Sequence, residues 1–423
     1  MKPVKLGIFG LSRGISLLRN AILNKADVVA LCDMNSKRLE DVKANSGLDT
    51  VATYTDFDSF IEHEGMEAVI ICNFFHEHAK YAIKALEKNI HVLSECLSNV
   101  TMAEGVALVR AAEKSNAIYM LEENYLFTSF NREIKRICDG GTLGRILFAE
   151  GEYNHPFWPQ ESVLYKPYAY HWRNMIPATY YVTHSLAPLM LFTGATPKRV
   201  TAMPVYAEYG KKDGTNGIFH HDRAAAITTL NDDDSVFRFT GWAQFGGDGE
   251  HYRVCGTKGQ IENVMGTDGK IMLRYNRWQK PDGMEDTNFY KPIIEDEDKE
   301  FLEQAGHDGG DFITIREFIG SIRENRRPIF DVYSATACAS VAILAHRSQM
   351  GNGIPMDIPD FRLEDDKKKF ENDNLSPFYG SDGSEPTVRC SSRPVDIDFD
   401  KIDNYQKTLD EITKEYGLID ILQ

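Results

Sequence analysis

The chain has 423 residues, enough for two domains with separate cores, and its 42% apolar and 26% charged residues are typical of a globular protein. A formal net charge of −16 argues against binding to nucleic acid or to an anionic membrane surface. Seven scattered cysteines without a CxxC pair speak against a disulfide framework. No apolar leader or membrane-spanning run is evident, so we expect a cytoplasmic protein.

The first part of the chain alternates short apolar runs with helical patterns. Strands are predicted over 5–9, 28–32, 68–72, 91–94 and 118–121, and helices over 15–23, 38–45, 78–88 and 102–115. This alternation predicts a parallel sheet with right-handed crossovers, that is, an α/β doubly wound domain over residues 1–127.

The pattern changes after residue 128. A helix over 131–139 stops at Gly140-Gly141, and longer alternating runs then extend from 146 to 275. These runs predict an α+β domain over residues 128–354 with an open, mainly antiparallel sheet, followed by helices over 310–325 and 333–349. Residues 355–423 are polar and predict an extension that wraps the surface and ends in a helix over 404–416.

A degenerate glycine turn follows the first predicted strand, with the sequence Gly10-Leu11-Ser12-Arg13-Gly14. A dinucleotide fingerprint has glycines where the chain turns and where the backbone meets pyrophosphate, and Ser12 can still present its amide at the helix N-terminus. Asp33 ends the second strand, where a carboxylate binds ribose hydroxyls and repels a 2′-phosphate. Because Met34 and Asn35 follow it, without a basic residue, we expect NAD as cofactor.

Tyr181 and His184 are three residues apart in an apolar segment, the spacing that puts both on one helix face. A phenol and an imidazole beside a nicotinamide can take a hydroxyl proton while a hydride leaves the same carbon. The alternative is a helix with a buried structural Tyr–His hydrogen bond.

The chain resembles the Gfo/Idh/MocA oxidoreductase family. The resemblance is carried by the strand and glycine turn, by Val29–Asp33, by 78–95 and by Thr142–Ile146. It implies a Rossmann domain, an open antiparallel sheet and an active site between them. It further implies cofactor contacts from Arg13, Gly14, Asn73, His78 and Glu95.

Two departures from that family narrow the resemblance. Glu95-Cys96-Leu97 stands where most members have Glu-Lys-Pro with a functional lysine, and Tyr180 stands where many have an aspartate. The remaining motifs are similar to glycoside hydrolase family 109, an NAD-dependent glycosidase branch. They are Tyr181–Pro188, Met120–Asn124, His171-Trp172-Arg173, and His155 after the first strand of the second domain.

That resemblance implies transient oxidation of a sugar, at C3 in our assignment, then elimination of the C1 substituent, water addition and re-reduction. His184 is the implied base, Tyr181 its partner, and Glu123 and His155 orient the sugar or serve the leaving group. Cys96, His171, Trp172 and Arg173 are implied substrate contacts. No metal site is expected, since the adjacent residues His220-His221-Asp222 rarely give tetrahedral geometry.

Two other functions remain open at this point: a simple NAD-dependent sugar or inositol dehydrogenase, and a non-catalytic nucleotide-sensing or scaffold protein. The expected partner is a small sugar or glycoside. The resemblance also implies a homo-oligomer, dimer or tetramer, formed through the exposed face of the second sheet.

Overall fold

The computed structural model describes residues 2–48, 50–210, 213–380 and 382–417. Its first sheet has six strands, all parallel, in the order β3-β2-β1-β4-β5-β6. They are β1 Lys5–Phe9, β2 Asp27–Cys32, β3 Ala52–Tyr54, β4 Ala68–Ile71, β5 His91–Glu95 and β6 Tyr119–Glu122. The predicted Rossmann sheet is thus confirmed, and the short edge strand β3 was not predicted.

Helices cover both faces of this sheet and bury their apolar sides on it. They are α1 Gly14–Leu23, α2 Ser36–Ser46, α3 Phe57–Phe60, α4 His78–Glu87 and α5 Met102–Lys114. The start of α5 carries a complete capping box, in which Thr101 accepts from the Glu104 amide and the Glu104 carboxylate accepts from the Thr101 amide.

The second sheet has nine strands in the order β14-β13-β12-β11-β7-β10-β9-β8-β15. They are β7 Ile146–Asn154, β8 Pro197–Tyr206, β9 Asp222–Asn231, β10 Val236–Thr240, β11 Gly249–Gly256, β12 Gly259–Asn263, β13 Ile271–Tyr275, β14 Thr287–Tyr290 and β15 Met356–Asp357. Neighbours are antiparallel except for the β7–β10 pair, which is parallel. The predicted α+β class of this domain is confirmed, with one parallel pair in a mainly antiparallel sheet.

Over the described residues, this half of the chain has nine α-helices, some of which also pack on the first domain. They are α6 Ser129–Asp139, α7 Pro159–Tyr165, α8 Thr183–Thr193, α9 Lys299–Leu302, α10 Gly310–Glu324, α11 Val332–Met350, α12 Glu364–Phe370, α13 Phe399–Asp403 and α14 Tyr405–Tyr416. Helix α8 packs on β7, α10 packs on α1, and α11 packs on both β8 and α5. The two domains therefore share buried helices.

The C-terminal extension contacts both domains. Its strand β15 extends the edge of the second sheet beside β8, α12 packs on α5, and α14 packs on α7. Over the described part of the chain, no helix has the length and apolar character needed to cross a bilayer.

Candidate active site

A cleft of about 1390 Å³ lies along the carboxyl ends of the parallel strands and continues to the second sheet. Ligands bind at this edge in doubly wound domains because the strand order reverses there, here between β1 and β4. Most predicted site residues line the cleft: Gly10, Ser12, Arg13, Asp33, Asn73, Glu95, Cys96, His155, His171, Trp172, Arg173, Tyr181 and His184. Gly14, His78 and Glu123 are not among its lining residues.

Gly10 makes the sharp turn that follows β1. Its φ is +90°, and an added Cβ would lie 2.4 Å from the Cys72 carbonyl oxygen. Gly14 begins α1 and faces inward, where an added Cβ would lie 3.1 Å from the Cys72 sulfur. The structure therefore assigns Gly14 to helix–strand packing, in place of the predicted cofactor contact, and leaves Gly10 and Ser12 at the cleft.

Asp33 lies at the end of β2 and is 5% exposed. Its carboxylate accepts the Leu11 amide at 2.7 Å and the Asn35 amide at 2.8 Å, so it also shapes the glycine turn. The Arg38 guanidinium lies 3.5 Å from Asp33 and lines the same cleft. Sequence reasoning missed Arg38 because it considered only the two residues after Asp33, whereas Arg38 reaches back from the first turn of α2.

The polar groups of this end of the cleft fit a dinucleotide. Asn73, just after β4, has neither its amide nitrogen nor its oxygen bonded to a described residue, although both atoms are buried. An unpartnered buried amide on the cleft wall suits a polar ligand. The Gly10 turn permits close approach of a phosphate, and Asp33 is placed for a ribose.

His78 differs from its predicted role as a cofactor contact. The side chain is buried, and its ring nitrogens lie 3.2 Å from the Leu97 and Asn73 carbonyl oxygens. The His78 ring thus links the segments that follow β4 and β5, and it holds the backbone of Asn73 in position.

Arg13 connects the glycine turn to the second domain. Its guanidinium donates to both oxygens of Asp311, at 2.6 and 2.9 Å, and lies 3.6 Å from Glu122. Asp311, in the first turn of α10, is fully buried and also accepts from Asn124 at 2.8 Å. Burial opposes its ionisation, but hydrogen bonds with His307 and Arg13 hold the pKa of Asp311 well below its usual range. No sequence pattern indicated this contact over almost 300 residues, and a direct role of Arg13 toward the cofactor stays a prediction.

Tyr181 and His184 come together at the entrance to α8, but they do not share a helix face as predicted. Tyr181 follows a 3₁₀ turn over Ala178–Tyr180, and His184 is the second residue of α8. Their rings are 5.2 Å apart and nearly perpendicular. Gly151 makes this placement possible, because a Cβ on this β7 residue would lie 2.1 Å from the Ser185 carbonyl oxygen.

Glu123 lies behind His184 and cannot touch a sugar in the cleft, which corrects its predicted role. The carboxylate is fully buried, and one oxygen lies 2.7 Å from His184 Nδ1. Burial opposes its ionisation, but the charge and hydrogen bond of His184 outweigh it and lower the pKa of Glu123. An ionised Glu123 requires the hydrogen on Nδ1, which leaves Nε2 as the basic nitrogen of His184.

Three tyrosine rings surround the His184 imidazole. Tyr125 and Tyr153 lie 4.5 and 4.7 Å from it by ring centroids, in addition to Tyr181. Burial raises the pKa of the Tyr153 and Tyr181 phenols, so both hold their protons at neutral pH. Tyr153 was missed, although it lies near the end of β7, two residues before the predicted site residue His155.

His155 lies just beyond β7, with its side chain about one-third exposed. It is 3.5 Å from Glu161 and 3.3 Å from Asp248. The hydrogen bond with Glu161 raises the pKa of His155 despite partial burial. The residue therefore holds a proton at the cleft wall more readily than a free imidazole.

Cys96 occupies the position of the missing lysine as a buried thiol. Its sulfur lies 3.2 Å from the Glu122 carbonyl oxygen and 3.3 Å from the Glu123 carboxylate, either of which can accept its single hydrogen. Burial and the two glutamates raise the pKa of Cys96 well above its ordinary value, so it is not a nucleophile at neutral pH. Glu95 and Glu122 end the adjacent strands and line the cleft.

The His171-Trp172-Arg173 run forms one aromatic wall of the cleft. Trp172 stacks on Phe75 at 5.1 Å, and the Arg173 guanidinium lies 4.4 Å over the Trp172 ring. Burial and the nearby Arg173 charge lower the pKa of His171 to about 3, so this imidazole is neutral. Within the described ranges, Arg173 has no carboxylate within ion-pair distance.

Over the described residues, no group of three or more His, Cys, Asp or Glu side chains could hold a metal ion. His220 is buried and Asp222 accepts from the backbone amide and hydroxyl of Ser392. The side chains of His220 and Asp222 thus make separate contacts, although the two residues are close in sequence.

A six-stranded Rossmann sheet, an open second sheet and a His–carboxylate pair in the cleft between them define an NAD-dependent oxidoreductase. Residues 4–123 match the NAD-binding Rossmann fold of the Gfo/Idh/MocA oxidoreductase family, and residues 249–367 match the C-terminal domain of glycosyl hydrolase 109. The chain is thus similar to the Gfo/Idh/MocA family over its first domain and to glycosyl hydrolase 109 over part of its second, as the sequence resemblance predicted.

Similar proteins support this assignment over most of the chain. A glycosyl hydrolase family 109 protein of Porphyromonas gingivalis is 23% identical over 85% of each chain, and one of Phocaeicola vulgatus is 23% identical over 85% of this chain and 94% of its own. A levoglucosan dehydrogenase in complex with NADH and levoglucosan has a TM-score of 0.70 at 17% identity, covering 85% of this chain and 100% of that one. The last similarity shows a shared fold.

Proposed function

We propose that the protein is a sugar-active NAD-dependent enzyme that oxidises a ring carbon of a glycoside, C3 in our assignment, and cleaves the glycosidic bond without net oxidation. The observation that carries this proposal is the buried Glu123–His184 pair, 2.7 Å apart, at the wall of the nucleotide cleft. Bound NAD supplies the chemistry of hydride acceptance and return. The similarity to family 109 proteins supports cleavage over simple dehydrogenation.

His184 is the base for the hydroxyl on the carbon that is oxidised. Glu123 orients the imidazole and stabilises it once it is protonated, as the carboxylate of a catalytic triad does. Tyr181 keeps its own proton, so it donates a hydrogen bond to the substrate oxygen and does not act as a second base.

His155 becomes the candidate acid for the leaving group, since Glu123 is out of reach. Oxidation at C3 acidifies the C2 hydrogen. This proton passes to water in the cleft as the C1–C2 double bond forms, and the C1 substituent leaves with the proton of His155. The Glu161 hydrogen bond keeps a proton on His155 for this step. Water then adds at C1 before the carbonyl is reduced.

Aryl glycosides incubated with the NAD-loaded protein test this proposal. We expect aglycone release without accumulation of NADH absorbance, a slower reaction when C3 carries deuterium, and solvent deuterium at C2 of the product. NADH accumulation without aglycone release would instead identify a sugar or inositol dehydrogenase. Cleavage with neither isotope effect nor C2 exchange would contradict the redox route.

A homo-oligomer formed through the outer face of the second sheet is part of the same proposal. This face is more charged than the apolar pattern of residues 224–245 predicted, because Glu150 pairs there with Arg238 and Arg253. Exposed Met203 and Val205 supply apolar area. Light scattering at micromolar concentration should report a dimer or tetramer, and a monomer would contradict this part.

A further inference from the structure

The C-terminal extension supplies part of the cleft wall. Phe378, Tyr379 and Gly380 line the cleft, although they lie beyond residue 367, where the match to the family 109 domain ends. The extension is thus placed to affect which substrates enter, by residues that the two family matches do not include.

This part of the extension is held firmly. The Ser376 amide donates to the Thr387 hydroxyl at 2.7 Å, and the Thr387 amide donates to the Ser376 carbonyl at 2.9 Å, which ties residues 376–380 to residues 382–388. Just before the loop, Arg347 donates to both oxygens of Asp373 at 2.6 and 2.8 Å. A loop tied at its base can present side chains in a defined position.

Phe378 fixes the loop against both domains. Its side chain is buried, and its ring lies 5.4 Å from His76 and 6.2 Å from Phe75 of the first domain, and 6.0 Å from Tyr180 of the second. The next residue, Tyr379, is partly buried and lines the cleft.

Tyr379 meets a second tyrosine that also lines the cleft. Its ring lies 5.4 Å from Tyr170 at 88°, and Tyr170 is 44% exposed. Tyr165 and Tyr168 of the same wall are 43% and 48% exposed. Exposed aromatic rings gathered at one opening are typical of a binding surface, because each has an apolar face and a polar hydroxyl.

We propose that Tyr379 and Tyr170 form an outer sugar-binding subsite that holds the unit on the leaving-group side of the scissile bond. The substrate class is therefore an oligosaccharide or glycan, a choice that rests on the proposed cleavage. A sugar ring offers an apolar C–H face to aromatic rings and hydroxyls to phenols.

The test compares methyl glycosides of common hexoses and N-acetylhexosamines with disaccharides that carry the same residue at the non-reducing end. For the NAD-loaded protein, Tyr379→Ala and Tyr170→Ala should each lower kcat/KM and calorimetric affinity for the disaccharide on the order of tenfold, with methyl glycosides within about twofold of wild type. Tyr379→Phe should retain most of the disaccharide affinity. Tyr416→Ala is the matched control, because Tyr416 is also 44% exposed and does not line the cleft.

Equal losses on both probes, or no loss on either, would overturn the outer subsite. Calorimetry separates this inference from the proposed function, because disaccharide binding that depends on Tyr379 would support the subsite even if no bond is cleaved. Cleavage of methyl glycosides with unchanged disaccharide affinity in both variants would leave the proposed function standing and remove the subsite. Failure to bind any sugar would overturn both.

Discussion

His184 and His155 both line the cleft, and each is paired with a carboxylate, yet their surroundings differ. His184 is held by the fully buried Glu123 at 2.7 Å and is surrounded by tyrosine rings. His155 is about one-third exposed and lies between Glu161 and Asp248 at 3.5 and 3.3 Å.

The difference shows how burial gives two similar histidine–carboxylate pairs different chemical properties. A buried carboxylate fixes the tautomer and orientation of its imidazole, because no water competes for the hydrogen bond. A solvent-exposed pair is weaker and exchanges protons with water, which suits proton delivery to a departing group. We therefore expect mutations of the buried pair to lower activity more than mutation of the exposed pair.

His184→Ala removes the proposed base and its hydrogen bond with Glu123, and it should have the largest effect on activity. Turnover should fall by roughly two to four orders of magnitude, while NAD affinity stays near normal. Steady-state rates and calorimetric NAD binding check this. Undiminished activity would remove His184 from the mechanism.

Glu123→Gln keeps the size of the side chain but removes the charge behind the base. We expect turnover to fall by roughly one to three orders of magnitude, with KM little changed, because a neutral amide stabilises the imidazolium less. Circular dichroism should verify the fold. A change confined to KM would mean that Glu123 serves binding only.

His155→Gln tests the exposed pair, and the loss should depend on the leaving group. We expect a decrease on the order of tenfold to a hundredfold for methyl glycosides and much less for nitrophenyl glycosides, whose leaving group needs no proton. An equal loss on both classes would show that His155 does not act as the acid.

Nucleotide affinity is a reference measurement for these variants, because neither His184 nor His155 should affect it. The protein should bind NAD at least about tenfold more tightly than NADP, and Asp33→Asn should narrow that ratio, because the neutral amide does not repel a 2′-phosphate. Arg38→Gln is the companion variant. Equal affinities in the wild type would contradict the role of Asp33.

The smallest expected effect is a pH-dependent contribution of His155 to stability. Because its folded pKa is raised, this contribution is fully present below the unfolded value of about 6.5 and is lost as pH rises through the folded pKa. His155→Gln should therefore lower the thermal midpoint more at pH 5.5 than at pH 8.5, by an amount equivalent to at most about 1 kcal/mol for this partly exposed pair. A larger decrease of the thermal midpoint at pH 8.5 than at pH 5.5 would contradict a raised pKa of His155.

Much of the fold was predictable from local pattern. Apolar runs and periodicity located nearly all strands and long helices within a few residues, because buried strands and amphipathic helices carry their own spacing. The short strands β3, β14 and β15 were not predicted, since two to four residues at a sheet edge show little periodicity. The two family matches confirm the resemblance drawn from motifs.

The cleft residues were predictable where they end a strand. Asp33, Asn73 and Glu95 follow apolar runs, and carboxyl ends of parallel strands meet at one edge. Glu123 was predicted to face the sugar, because the sequence does not show which of two adjacent glutamates lines the cleft. Here Glu122 lines the cleft, whereas Glu123 lies behind His184.

The sequence by itself determined the two-domain order, the nucleotide end of the cleft and the choice of His184 as the candidate base, because these depend on local pattern and on short motifs. Only the tertiary structure decided which residues lie behind His184 and around the cleft: Glu123 at 2.7 Å, the Arg13–Asp311 link between domains, and Tyr379 from the extension. These contacts join residues from 61 to almost 300 positions apart. Packing of whole domains brings such residues together, and no spacing along the chain encodes it.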